Sequence, residues 1–164
     1  MRLRGALQTA TGWRSLLVAT VLCSNAVAKE NKPRVTVTEF SHFPSNLNYF
    51  EDSDVVLFQD YDENTVYRSD DAGEKWTMIK DIPEGKAWDL FLHPFDSKRA
   101  YVLTRDNTHW KTEDRGKSWK EFFTDASPSM FRMPLSFHAS DPDKIIFNGQ
   151  DCASIFCTEQ VSLC

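Results

Sequence analysis

Residues 68–76 read RSDDAGEKW, setting a hydroxyl, two carboxylates, a glycine and an indole within nine positions, as a loop built for general acid–base chemistry would. Forty-three residues later the chain reads KTEDRGKSW, residues 111–119. The pairs are Ser69 and Thr112, Asp71 and Asp114, Gly73 and Gly116, and Trp76 and Trp119, with Asp70 left as a variable position. Catalytic acids have no reason to recur at a fixed interval, but a turn does. A short aspartate side chain accepts hydrogen bonds from the N–H groups of its own turn, and glycine supplies the positive φ that other residues resist. The hydroxyl closes the same local network, and the tryptophan covers the hairpin with apolar surface worth about 2–3 kcal/mol when buried. These eight residues read as a structural clasp, used twice.

The remaining candidates for chemistry fail on spacing. Asp60, Asp62 and Asn64 in DYDEN resemble the start of a calcium loop, but Thr65 stands where glycine is needed and Asp71 where the closing glutamate is needed. A solvated hairpin turn is the expectation there. His42, His93, His109 and His138 are scattered, and His93 and His138 occupy matching places before Asp-bearing turns, which suits strand ends better than a metal. Cys152, Cys157 and Cys164 offer no Cys-x-x-Cys pair or neighbouring histidine for zinc. Cys152 with Cys157 can close a small disulfide loop, and Cys164 is left over, as in an incomplete chain. No metal and no cofactor is expected.

The elements that position the clasps are short and repeated. VVLFQ (55–59) and TVYRS (65–69) flank a polar turn, followed by the first clasp and WTMIK. AWDLFLH, RAYVLT, THWKT, the second clasp and WKEFFT repeat the plan, and PLSFHA with KIIFN begins it a third time. The matched histidines are 45 residues apart, close to the interval between clasps. A period of roughly 40–50 residues carrying several short strands points to β-propeller blades, each a four-stranded antiparallel sheet. The fold class is therefore all-β, with about two and a half blades in residues 29–152. RVTVTEF (34–40), rich in β-branched residues, is expected to add a strand. Residues 153–164 lose the strand pattern and read as a divergent tail of a truncated chain.

Arg2, Arg4 and Arg14, the apolar run 16–22 and the small residues of AVA (26–28) have the order of a secretory signal peptide, assigned to residues 1–28. A run of seven residues is too short to span a bilayer, which takes ~20. Without residues 1–28 the chain keeps 16 basic and 24 acidic side chains, a net charge of −8. Such a balance disfavours nucleic acid and anionic membranes. Hydrophobic and aromatic fractions of 41% and 13% exclude general disorder.

The repeated pattern S/T-x-D-x-G-x-x-W is the Asp-box. VYRSDDAGEKW, LFLHPFDSKRAYVLT, KTEDRGKSWKEFFT and PLSFHASDPDKIIFNGQDC together resemble the opening blades of the sortilin family, its fungal vacuolar sorting receptors in particular, over residues 35–152. The resemblance implies a ten-bladed luminal propeller on a single-pass membrane protein. Such a receptor binds soluble vacuolar hydrolase precursors of the carboxypeptidase Y type in the trans-Golgi network and releases them in a prevacuolar endosome. Cargo in the family is held by later blades, so no cargo-contacting residue is carried over. Asp-box sialidases and xyloglucanases share the clasp, and sialidases carry an arginine in a motif like FRMP (131–134). Here that motif follows the second Asp-box instead of preceding the first, and no convincing set of two further arginines with a Tyr/Glu nucleophile pair joins it. The readings are a non-enzymatic receptor fragment first, then a glycosidase fragment or a non-functional truncation product.

Overall fold

The computed structural model describes residues 35–42, 44, 46–153 and 156–163, with the backbone alone for residues 152, 153, 156 and 157. The signal-peptide reading of residues 1–28 and Cys164 lie outside the described residues. Every regular element among the described residues is a strand, and every pairing is antiparallel.

The first sheet runs β1 (Asn46–Tyr49), β2 (Val56–Asp60), β3 (Thr65–Ser69) and β4 (Thr77–Met78), in that order. The second runs β5 (Asp89–Leu92), β6 (Ala100–Leu103), β7 (Thr108–Thr112) and β8 (Lys120–Phe123). Sequence order equals spatial order in both, the meander of a propeller blade. In the third, β10 (Leu135–Phe137), β11 (Ile145–Ala153) and β12 (Phe156–Leu163) lie in order, and the short β9 (Ser127–Pro128) pairs the far end of β11. The register repeats as well, because Val56 faces Ser69 as Ala100 faces Thr112.

Alternation along the strands divides the core. Leu57 and Val66 of the first sheet meet Ala100, Val102, Trp110 and Trp119 of the second, all buried. Tyr101 and Leu103, on the opposite face of β6, pack with Leu135, Ile145 and Phe147 of the third sheet. β6 is therefore buried along its whole length, which explains its continuous apolar run AYVL. Arginines join the sheets at their margins. Arg68 Nε donates to the carbonyl of Arg115 at 2.9 Å, and Arg99 Nη1 donates to the carbonyl of Pro142 at 2.9 Å and to Asp143 Oδ1 at 2.6 Å.

Two expectations from sequence require correction. Residues 35–40 form no strand; Thr38 Oγ1 donates to the carbonyl of Gly73 at 3.0 Å and Phe40 packs edge-on to Phe58 and Trp76, while Val35 and Val37 stay exposed. β-branched residues make a strand only where an edge accepts them, and here side-chain contacts hold the segment instead. Conversely, residues 156–163 form β12, paired with β11 over eight positions, although CTEQVSL shows little apolar alternation. Its Thr158, Glu159 and Val161 are exposed, so pairing and not burial defines it. β1 also escapes sequence reading, because NLNY exposes Leu47 and Tyr49 instead of burying them.

Candidate functional site

Each Asp-box lies in the turn between the third and fourth strands of its sheet. In the first, the N–H of Gly73 donates to Ser69 Oγ at 2.8 Å, Ser69 Oγ donates to Asp71 Oδ1 at 2.8 Å, and the N–H of Lys75 donates to the same carboxylate oxygen at 2.8 Å. The second repeats these contacts through Thr112, Asp114, Gly116 and the N–H of Ser118, at 2.8–2.9 Å, and adds a bond from Ser118 Oγ to Asp114 Oδ2 at 2.6 Å. The N–H of Lys75 and the hydroxyl of Ser69 hold the Asp71 carboxyl below the usual carboxylate range. At Asp114, burial pushes upward, and the bonds from Ser118 and Thr112 outweigh it to give a lowered pKa. A carboxylate stabilised in its ionised form and tied to its own turn is a poor general acid or base near neutral pH.

Gly73 and Gly116 have φ of +94° and +76°, and the residues before them, Ala72 and Arg115, are also left-handed at +56° and +58°. The sequence signals the glycines but not their neighbours. The two indoles differ. Trp119 is buried and its Nε1 donates to the carbonyl of Gly116 at 3.2 Å, whereas Trp76 is half-buried and its Nε1, enclosed, has no partner. The carbonyl of Gly73 is taken by Thr38 instead.

The other candidates separate in space. DYDEN makes the β2–β3 turn: Asp60 Oδ1 accepts the N–H groups of Asp62 and Glu63 at 2.9 and 3.0 Å, and Asn64 has a φ of +50°. His42 arrives from 18 residues upstream, its Nδ1 3.0 Å from Asp60 Oδ2. Burial alone would raise Asp60, yet the Glu63 N–H, His42 and the Asp62 N–H together lower it, and the bond to Asp60 raises His42. Ligand atoms of His42, Asp60 and Asp62 fall within 4.8 Å of one another, a grouping no local spacing reveals. Both Asp60 oxygens are already engaged within the turn and with His42.

His93 and His138 sit before equivalent turns. His93 is buried, its Nδ1 accepting the N–H of Phe95 at 3.1 Å and its Nε2 enclosed. His138 is exposed, with Nδ1 at 3.4 Å from the N–H of Ser140. His109 is fully buried between the second and third sheets. Its Nδ1 accepts the N–H of Thr104 at 3.2 Å, which places the proton on Nε2, 2.9 Å from Thr124 Oγ1. Thr124 Oγ1 in turn donates to the carbonyl of Ala126 at 2.7 Å. Burial pushes the imidazole down to about 4, with Asp106 opposing weakly.

Arg132 of FRMP is exposed and pairs with Glu159 on β12 at 2.9 Å, instead of facing a cleft. The ladder sets Cys152 opposite Cys157 at the closed end of the β11–β12 hairpin. A cavity of ≈490 Å³ between the second and third sheets is lined by the apolar side chains of Tyr101, Phe122, Leu135 and Ile145. Its lining cations are both paired, Arg99 with Asp96 and Asp143 and Lys111 with Glu113. Taken together, the geometry among the described residues offers fixed turns and packed sheet faces.

Comparison with known proteins agrees with this architecture. The family model described as "Sortilin, neurotensin receptor 3" matches residues 64–164. The chain is similar to the vacuolar protein sorting/targeting protein 10 of Colletotrichum graminicola, 52% identical over 159 residues, 96% of this chain and 10% of that protein. It is likewise 51% identical to the proteins of the same name from Verticillium alfalfae and Pyricularia oryzae, over 92% and 97% of this chain and 10% of each relative. The chain thus spans about a tenth of the length of these relatives.

Proposed function

Because the chain belongs to the sortilin–Vps10 family, with its three sheets forming part of a β-propeller of that type, we propose that it is the opening segment of the luminal domain of a sorting receptor for soluble hydrolases. The cargo class is soluble vacuolar hydrolase precursors of the carboxypeptidase Y type. The route runs from the trans-Golgi network to a prevacuolar endosome. The observation that carries the reading is the succession of sheets with matching register and matching Asp-boxes, in a chain about half identical to proteins named for vacuolar sorting.

Within that receptor the Asp-boxes serve as structure. Ser69, Asp71, Gly73 and Trp76, and their counterparts Thr112, Asp114, Gly116 and Trp119, close the outer hairpin of each blade, and the Asp carboxylates are consumed in doing so. This argues against a glycosidase, whose chemistry would need free carboxyl groups facing a substrate. Cys152 and Cys157, opposed in the ladder, form the disulfide that closes the β11–β12 hairpin in the oxidising lumen. Cross-linking in intact fungal cells tests the cargo assignment. The tagged product of the locus should be recovered with a carboxypeptidase Y-type precursor, and consistent recovery without any such hydrolase would refute it.

A further inference from the structure

At the end of the sheets that carries the β6–β7 turn, two adjoining cavities of ≈190 and ≈90 Å³ share the side chains of Trp88 and Arg105. Met130 lines the second, and Phe131 and Met133 follow it on the same loop. Met130, Phe131 and Met133 are 66%, 77% and 67% exposed, three large apolar side chains within four positions. Scattered exposed apolar residues need no explanation, but three this close together on one loop form a candidate contact surface.

The loop that displays them is held firmly. Gln150 Oε1 accepts the N–H of Met130 at 3.0 Å, Ser129 Oγ accepts those of Phe131 and Arg132 at 3.3 and 3.2 Å, and Asn148 Nδ2 donates to the carbonyl of Met133 at 2.8 Å. Trp88 is fixed too, its N–H donating to Leu103 and its carbonyl accepting Gln59 Nε2 at 2.9 Å. A surface ordered before binding loses little entropy on binding.

Charge names the partner. Lys86 is paired with Asp106 at 2.8 Å and Arg132 with Glu159 at 2.9 Å. Arg105, exposed between the two cavities, has no ion pair or hydrogen bond among the described residues. We propose that Trp88, Arg105, Met130 and Phe131 form a docking surface for a protein segment that places aliphatic side chains beside a carboxylate. Arginine takes the carboxylate in a forked contact, while tryptophan and the adaptable methionine side chain take the aliphatic groups. The proposal deepens the receptor reading by giving the opening blades a cargo contact of their own, and it rests on that reading only for the identity of the partner.

The test uses the full chain, secreted from a fungal host, and a fluorescent octapeptide with two leucines followed by aspartate. Two twins carry lysine for the aspartate or serines for the leucines. The aspartate peptide should bind, and Arg105→Glu should weaken it roughly tenfold while strengthening the lysine twin. Phe131→Ser and Met130→Ser, at exposed positions, should weaken both leucine peptides with unfolding midpoints unchanged. Affinity that does not follow the charge exchange, or that is equal for the serine twin, overturns the proposal. So does self-association of the chain that Phe131→Ser abolishes, which would assign the patch to a second copy. Capture of a hydrolase precursor equally by wild type and Arg105→Glu, without peptide binding, overturns the surface and leaves the receptor reading standing. Charge-following peptide binding in a chain that captures no hydrolase supports the surface and removes its assignment as a cargo contact.

Discussion

Gly73 and Gly116 occupy the same place in the two Asp-boxes, yet replacing each with alanine should have different consequences. Both have positive φ, so alanine at either position costs about 1–2 kcal/mol from the backbone alone. At Gly73 the new Cβ would meet only Trp76 Cζ2, at an ordinary 3.4 Å. At Gly116 it would lie 2.8 Å from Leu57 Cδ2 and 3.3 Å from Arg68 Cδ, both on the first sheet. Leu57 is fully buried, so its side chain can give way only by repacking its neighbours, and overpacking adds about 1–3 kcal/mol. The expected losses are about 1.5 kcal/mol for Gly73→Ala and about 3.5 kcal/mol for Gly116→Ala. Urea unfolding followed by tryptophan fluorescence reads both, and at an m-value of ~2 kcal/mol/M the midpoints fall by roughly 0.8 and 1.8 M. A cycle with Leu57→Ala should show coupling of about 1 kcal/mol or more for Gly116 and none for Gly73. Equal losses, or no coupling at Gly116, would refute the packing of the second Asp-box against the first sheet.

Further expectations concern pH, the clasps and the cysteines. His109 titrates near 6.5 when unfolded and about 4 when folded, so the unfolded chain binds the extra proton first and stability falls as pH drops from 6.5 towards 4, by about 3 kcal/mol at full protonation. His109→Gln should flatten that limb of the pH–stability curve, and an unchanged limb would contradict the buried neutral tautomer. His42 runs the opposite way, because its raised pKa adds stability below the unfolded value of 6.5 and loses it as pH rises through the folded value. Asp71→Ala or Asp114→Ala should cost roughly 1–3 kcal/mol by removing the charged acceptor that ties the Ser69 or Thr112 hydroxyl to the Lys75 or Ser118 N–H, and unchanged denaturation midpoints would count against the structural role. Thiol labelling of the secreted, unfolded chain followed by peptide mass analysis should find Cys152 and Cys157 joined; labelling of both would remove the hairpin disulfide.

What the sequence discloses follows from what is local. The Asp-box spells out its own hydrogen bonds, since Ser69, Asp71 and the N–H of Lys75 lie within seven residues. The strands of the second sheet are equally legible, because burial on both faces writes AYVL as an unbroken apolar run. Contacts between distant segments leave no such trace. His42 reaches Asp60 and Thr38 reaches Gly73 by way of tertiary packing, and Arg68 and Arg99 find carbonyls on the following sheets. The left-handed Ala72 and Arg115 are imposed by the glycine beside them and the clasp around them, not by any preference of their own. RVTVTEF and CTEQVSL mislead in opposite directions, because strand formation depends on an available edge as much as on side-chain type.

The most direct test of the receptor account is the fate of a soluble vacuolar hydrolase when the locus encoding this chain is disrupted. The account predicts that the carboxypeptidase Y-type precursor leaves the cell unprocessed, and that restoring the intact locus returns it to the vacuole. Normal vacuolar delivery in the disrupted strain would contradict it.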